Sequence, residues 1–108
     1  MAIQLPQVIA DYLAADSVAD SESLGRCFSA NAEVRDEGRS IRGRAAIKQW
    51  NLDARAKYQY TVTPLDVSQD GAGVLMRARL AGNFPGSPAN VNYAFTLADD
   101  LITALEIS

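Results

Sequence analysis

The chain has 108 residues, of which 48% are hydrophobic and 21% are charged. This balance is typical of a globular protein and excludes a disordered chain, and we expect a single domain over residues 1–108. The net charge of −3 argues against nucleic acid or an anionic membrane as the main partner, because such a protein repels phosphate. We find no run of the roughly 18 apolar residues that a membrane span requires and no secretion signal, so we expect a cytoplasmic protein.

Histidine is absent, and Cys27 is the single cysteine. Ser–His–Asp and Cys–His nucleophilic systems therefore cannot be built from this chain, and neither can an internal disulfide or a cysteine-cluster zinc site. Proton transfer near neutral pH would have to use a carboxylate, a tyrosine, a lysine or bound water.

Helical periodicity dominates the first part of the chain. A first helix is predicted from an apolar stripe with i, i+3, i+4, i+7 and i+8 spacing. That stripe consists of Leu5, Val8, Ile9, Tyr12 and Leu13. Asp20 is suited to cap a short second helix, on which Leu24 and Phe28 would share a face. A third helix is predicted after Gly43, with its stripe at Ile47, Trp50, Ala54 and Tyr58.

A period of two predicts strands elsewhere. From residue 32 the alternation places Val34 and Asp36 on one strand face, and Gly38 permits a turn into a brief strand around Ile41. Four more strands are predicted at 60–67, 74–83, 91–97 and 101–107. Pro64 indicates an edge or a bulge in the first of these four. Their predicted inward residues include Met76, Tyr93, Phe95, Leu101, Leu105 and Ile107.

Helices followed by a run of strands indicate an α+β fold. We expect a curved, mostly antiparallel sheet covered by three helices from the N-terminal half. A helix that spans a curved sheet encloses a cone-shaped volume. Side chains fill this volume with difficulty, so we expect an internal pocket between the helices and the sheet.

Two stretches carry a family resemblance. They are Phe28-Ser-Ala-Asn-Ala-Glu-Val-Arg-Asp36 and Ile41-Arg-Gly-Arg-Ala-Ala-Ile-Lys-Gln-Trp50. Together with the order of elements, they resemble the nuclear transport factor 2-like superfamily, in its SnoaL-like and ketosteroid isomerase-like branch. The resemblance implies a cystatin-like α+β domain and a homodimer formed through the sheet face. It does not decide the function, because this fold hosts both enzymes and non-catalytic modules.

The resemblance also implies site residues. Asp36 is similar to the general base of ketosteroid isomerase, and Tyr12 is similar to its oxyanion-hole tyrosine. Tyr93 lies near the position of that family's second donor, which is a protonated aspartic acid. Ketosteroid isomerase is a known case of this chemistry, which requires neither metal nor organic cofactor.

The properties of these residue types support the same proton-transfer reaction. Burial of Asp36 beside Val34 would raise its pKa towards the range of a useful base, and neutral phenols can stabilise an enolate oxygen. The predicted pocket wall consists of Val34, Trp50, Met76 and Phe95. The predicted ligand is a small apolar molecule with a carbonyl group.

Structural alternatives remain open for each of these residues. Asp36-Glu37-Gly38 has the composition of a turn, and Tyr12 or Tyr93 can be ordinary buried aromatic residues. The absence of histidine disfavours polyketide cyclisation by an aspartate–histidine pair. Three functions therefore remain: a cofactor-free isomerase that uses Asp36 as its base, a ligand-binding or dimerisation module without catalysis, or a purely structural domain whose exposed sheet face pairs with another chain.

Overall fold

A computed structural model describes residues 5–108, which form three helices and a six-stranded sheet. The helices are α1 (Gln7–Ser17), α2 (Ser21–Arg26) and α3 (Arg44–Tyr58). The strands are β1 (Phe28–Asp36), β2 (Arg39–Arg42), β3 (Thr61–Asp70), β4 (Gly73–Ala81), β5 (Ala89–Ala98) and β6 (Leu101–Ile107). The predicted α+β fold and order of elements are confirmed.

The helix ends follow the local chemistry of the sequence. Pro6 precedes α1, where its missing N–H costs nothing. The Asp20 side chain caps α2 by accepting a hydrogen bond of 3.1 Å from the Ser23 amide, as predicted. Gly43 precedes α3 with a φ of 89°, a conformation that strains other residues.

The sheet is mixed, with the strand order β2-β1-β6-β5-β4-β3. Every neighbouring pair is antiparallel except β1 and β6, which are parallel. Pro64 lies on the edge strand β3, and the β3–β4 register shifts between Pro64 and Asp66. Both predicted explanations of this proline, an edge and a bulge, therefore apply.

Two predictions about strand boundaries and faces were wrong. Phe28 does not continue α2 but begins β1, where it lies opposite Ile102 in the parallel pair with β6. Leu101 is only half-buried, whereas Ile102 is fully buried. A register shift in the β5–β6 ladder causes this exchange of faces, because Thr96 pairs with Ala104 while Leu97 pairs with Ile102.

The core lies between the helices and the inward face of the curved sheet. Ile9 and Tyr12 from α1 and Ile47 from α3 meet Met76 and Phe95 from the sheet, and all five are nearly inaccessible to solvent. Among residues 5–108, no helix has both the length and the apolar character needed to cross a membrane.

Candidate functional site

The apolar stripe of α3 packs in the closed core at its N-terminal end and lines a cavity further along the helix. Ile47 is fully buried, whereas Trp50, Ala54 and Tyr58, further along the same helix face, line the cavity. β5 shows the same progression. Phe95 is in the core, Tyr93 is stacked beside it at 6.0 Å between ring centroids, and Tyr93 also reaches the cavity wall. The cavity is thus the part of the core that these elements leave unfilled.

The cavity has a volume of about 480 Å³, which suits a small organic ligand. Five aromatic side chains contribute to its wall, together with aliphatic groups of β4, β5 and β6. The aromatic residues are Trp50, Tyr58, Tyr60, Phe84 and Tyr93. Two carboxylates, Asp36 and Glu37, and the polar residue Ser108 also line the wall. The predicted pocket between the helices and the sheet is therefore present, but it opens to solvent where Glu37, Pro85 and Ser108 line it.

Asp36 lies at the end of β1, half-buried, with its side chain on the cavity wall. The indole Nε1 of Trp50 donates a hydrogen bond of 3.0 Å to Oδ2 of Asp36 and fixes the carboxylate. Burial raises the pKa of Asp36 above its ordinary value, although the Trp50 hydrogen bond and the charge of Arg39 oppose this shift. The neighbouring Glu37 adds to the increase through like-charge repulsion.

Among the described residues, Tyr93 carries the one aromatic polar group of the wall that has no partner within the protein. The hydroxyl of Tyr58 donates to Glu37 at 3.1 Å, and that of Tyr60 donates to Asp16 at 3.2 Å. Burial raises the pKa of Tyr93 well above its ordinary value, so its hydroxyl remains protonated. This phenol is therefore available to donate a hydrogen bond to a ligand.

Asp36, Tyr93 and Trp50 meet at one cavity, but four other predicted site residues do not line it. Tyr12 packs edge-on against Phe28 and Phe95, with ring centroids 5.8 Å away in each case. Burial also raises the pKa of Tyr12 well above its ordinary value. Val34, Met76 and Phe95 are buried in the closed core. These side chains point to the predicted side of the sheet, but the helices cover them completely.

A buried polar network, which was not predicted from the sequence, lies behind the cavity wall. Oδ1 of Asp16 accepts hydrogen bonds from Asn51 at 2.7 Å, from Arg55 at 3.1 Å and from Tyr60. Arg55 also donates to the backbone carbonyl of Tyr60, and its guanidinium lies 4.3 Å from the centre of that ring. The network fixes the Tyr60 side of the wall.

A signal for this network exists in the sequence. Asp16 follows Ile9 by seven residues and Tyr12 by four, which places it on the apolar stripe of α1. Asn51 and Arg55 are likewise four residues apart on α3. Polar residues within an apolar stripe predict a buried hydrogen-bonded group, although not its partners.

A larger open groove of about 1070 Å³ lies elsewhere, between α1 and the turns near residues 71 and 99. None of the predicted catalytic residues lines it. Within residues 5–108, no group of three or more cysteine, aspartate or glutamate side chains is placed to hold a metal ion.

A family model, the SnoaL-like domain, matches residues 9–105. The chain therefore belongs to the SnoaL-like domain family, which confirms the resemblance seen in the sequence. No curated protein matches it.

Solved structures give the same result. The chain is 39% identical to a candidate polyketide cyclase from Sinorhizobium meliloti, with a TM-score of 0.94 and coverage of 96% of this chain and 95% of that one. A protein of ketosteroid isomerase-like fold from Catenulispora acidiphila, crystallised with trimethylamine, is 22% identical, with a TM-score of 0.85 and coverage of 97% and 86%. TerC, co-crystallised with polyporic acid, is 17% identical, with a TM-score of 0.81 and coverage of 94% and 88%. The last two show the fold alone.

Proposed function

We propose that this protein binds an apolar carbonyl compound in the aromatic cavity and catalyses a proton-transfer isomerisation with Asp36 as the base. The observation that carries the proposal is the position of Asp36, whose half-buried carboxylate shares one cavity wall with the unpartnered phenol of Tyr93. The cavity supplies apolar contact surface, and the two polar groups supply the chemistry.

The reaction follows from the roles of these groups. The Asp36 carboxylate takes a proton from the carbon next to the ligand carbonyl, and negative charge moves to the carbonyl oxygen. Tyr93 donates a hydrogen bond to that oxygen and stabilises the enolate. Asp36 then returns the proton to the far carbon of the conjugated system, so the double bond moves and the carboxylate is regenerated.

Trp50 has a supporting role in this scheme. Its indole N–H fixes the carboxylate plane, and the ring forms part of the wall. This hydrogen bond lowers the pKa of Asp36, but the increase that burial causes is larger. Asp36 therefore combines a defined orientation with greater basicity than an exposed aspartate.

The experiment is an isomerisation assay with a small β,γ-unsaturated ketone, cyclohex-3-enone, followed by the ultraviolet absorbance of the conjugated product. We expect Asp36→Asn to reduce kcat by about a hundredfold or more, because a positioned base contributes about 10²–10⁴-fold. Tyr93→Phe should reduce kcat by about a hundredfold, the usual cost of an oxyanion donor.

Asp70→Asn is the matched control. Asp70 is also the last residue of its strand, but it is exposed and does not line the cavity. It should leave the rate unchanged. Equal rates for wild type and Asp36→Asn would remove Asp36 as the base.

The alternative is a ligand-binding module that uses the same cavity without catalysis. The cavity itself favours this alternative as much as catalysis, since a volume of about 480 Å³ suffices for binding. Saturable binding of the ketone without turnover would establish the module.

We also propose a cytoplasmic homodimer that pairs through the exposed face of the sheet. Leu75 on β4 is 44% exposed and lies opposite Ala94 on β5, which gives this otherwise polar face an apolar centre. Sedimentation equilibrium of wild type and Leu75→Asp tests the pairing. A dimer that dissociates in the variant supports it, and a monomeric wild type contradicts it.

A further inference from the structure

We infer that the cavity selects ligands with an organic ammonium group, a protonated or quaternary amine, held beside Glu37. The inference rests on the proposed ligand site and deepens it. The preferred ligand would be a carbonyl compound whose other end is cationic.

The first support is the aromatic wall. Aromatic faces attract cations through their quadrupole, and a desolvated cation over several rings gains more than one over a single exposed ring. Tyr58 and Phe84 meet edge-on near Glu37, with ring centroids 5.9 Å apart. Lys57 Nζ lies 5.0 Å from the centre of the Tyr58 ring and the Arg55 guanidinium lies 4.3 Å from that of Tyr60, whereas among the described residues Phe84 has no such cation beside its ring and offers the free aromatic face.

The second support is the sign of the charge on the wall. Asp36 and Glu37 both line the cavity, and no lysine or arginine among the described residues does. Arg55 lies close behind the wall, but its charge is paired with Asp16. An anionic ligand would therefore meet like charge on the wall, whereas a cation would meet the half-buried rings of Tyr58 and Phe84 beside the exposed carboxylate of Glu37.

Glu37 is the carboxylate best placed for this selection. It belongs to the turn after β1, and Tyr58 at the end of α3 holds its carboxylate by a hydrogen bond of 3.1 Å. Asp36 is held separately by Trp50. The two acids can thus act on different parts of one ligand, with Asp36 at the carbonyl and Glu37 at the cation.

Two isosteric ketones test the inference. 4-(Trimethylammonio)acetophenone is cationic and 4-tert-butylacetophenone is neutral, yet they have almost the same shape. Titration calorimetry of wild type should show roughly tenfold tighter binding of the ammonium ketone, the magnitude expected of a partly desolvated cation–π site. The anion 4-acetylbenzoate should bind more weakly than either ketone.

Substitutions then test which side chains cause the preference for the ammonium ketone over the tert-butyl ketone. Glu37→Gln should reduce it to about threefold or less while binding of the tert-butyl ketone stays within twofold. Phe84→Leu, which keeps an apolar side chain but removes the ring, should also reduce it. Glu22→Gln makes the same charge change on a side chain that is 71% exposed and outside the cavity, and it should leave the preference intact.

The outcomes separate this inference from the proposed function. Deuterium exchange at the methyl group next to the carbonyl, followed by NMR, reports proton abstraction independently of affinity. Equal or tighter binding of the tert-butyl ketone, with exchange that depends on Asp36, overturns the ammonium preference and supports the proposed function. A Glu37-dependent preference without exchange supports the inference and overturns the catalytic proposal. Binding of neither ketone overturns both.

Discussion

The buried Asp16 network allows the sharpest prediction about stability. The Asp16 side chain is 2% exposed, and that of its ion-pair partner Arg55 is 16% exposed. Asp16→Ala would leave three donors without their acceptor, including the charged guanidinium. We therefore expect this substitution to cost more than an ordinary surface truncation.

The magnitude follows from burial. Removing one partner of a buried ion pair costs about 3–5 kcal/mol. The value here should lie at the lower end, about 3 kcal/mol, because Arg55 keeps some solvent contact and a hydrogen bond to the Tyr60 carbonyl. At about 4 °C per kcal/mol for a domain of this size, Tm should fall by about 12 °C.

Chemical denaturation of wild type, Asp16→Ala, Arg55→Ala and the double variant measures the coupling directly. We expect a coupling energy of at least about 1 kcal/mol, because the two side chains share one buried network. The matched control is Asp66→Ala, which breaks an ion pair with Arg77 whose two side chains are both more than half exposed. This control should have a much smaller effect.

Two results would refute this reasoning. One is a loss of stability in Asp16→Ala no larger than that in Asp66→Ala. The other is additive behaviour of Asp16→Ala and Arg55→Ala in the double variant. Asp16→Asn, which keeps the volume but removes the charge, separates the electrostatic part of the effect from packing.

Three further predictions concern the core and the site. Gly82→Ala should destabilise the protein by about 1–3 kcal/mol in urea denaturation, because its Cβ would lie 2.7 Å from the Tyr58 carbonyl oxygen and 2.8 Å from the Tyr60 Cα; a neutral effect would contradict this close approach. Phe95→Ala should cost about 3–5 kcal/mol in the same assay, since it empties a fully buried site, and a loss below about 1 kcal/mol would show that the core collapses around it. Asp36→Asn should raise Tm at pH 7 and leave it unchanged below about pH 4. Folding raises the pKa of Asp36, so the protonated side chain stabilises the folded protein in acid, and this stabilisation is lost as the pH rises through the folded-state pKa. Asparagine is neutral at every pH and does not lose it. A Tm difference between wild type and Asp36→Asn that does not change with pH would contradict the raised pKa.

Local patterns predicted most of the fold. The stripe on α1, the Asp20 cap, the turn at Gly38 and the start of α3 after Gly43 all depend on residues close in the chain. Strand faces such as Val74, Met76 and Ala78 also follow from simple alternation. These features need no knowledge of distant contacts, since periodicity and capping act over a few residues.

Non-local pairing decided what the sequence could not. Phe28 begins a strand because β6, some seventy residues later, pairs with it in parallel. The exchange between Leu101 and Ile102 comes from a register shift against β5. Register and bulges depend on the partner strand, so one strand's own sequence does not determine them.

The candidate site also depends partly on local sequence patterns and partly on tertiary packing. The sequence by itself determined that Asp36 shares a strand face with Val34 and that Tyr93 points to the covered side of the sheet. Only the tertiary structure decided that Tyr12, Met76 and Phe95 fill the closed core while Tyr58, Tyr60 and Phe84 surround the cavity. The reason is physical: a sequence pattern indicates which side a residue faces, but the volume left open there depends on how every helix and strand packs against the others.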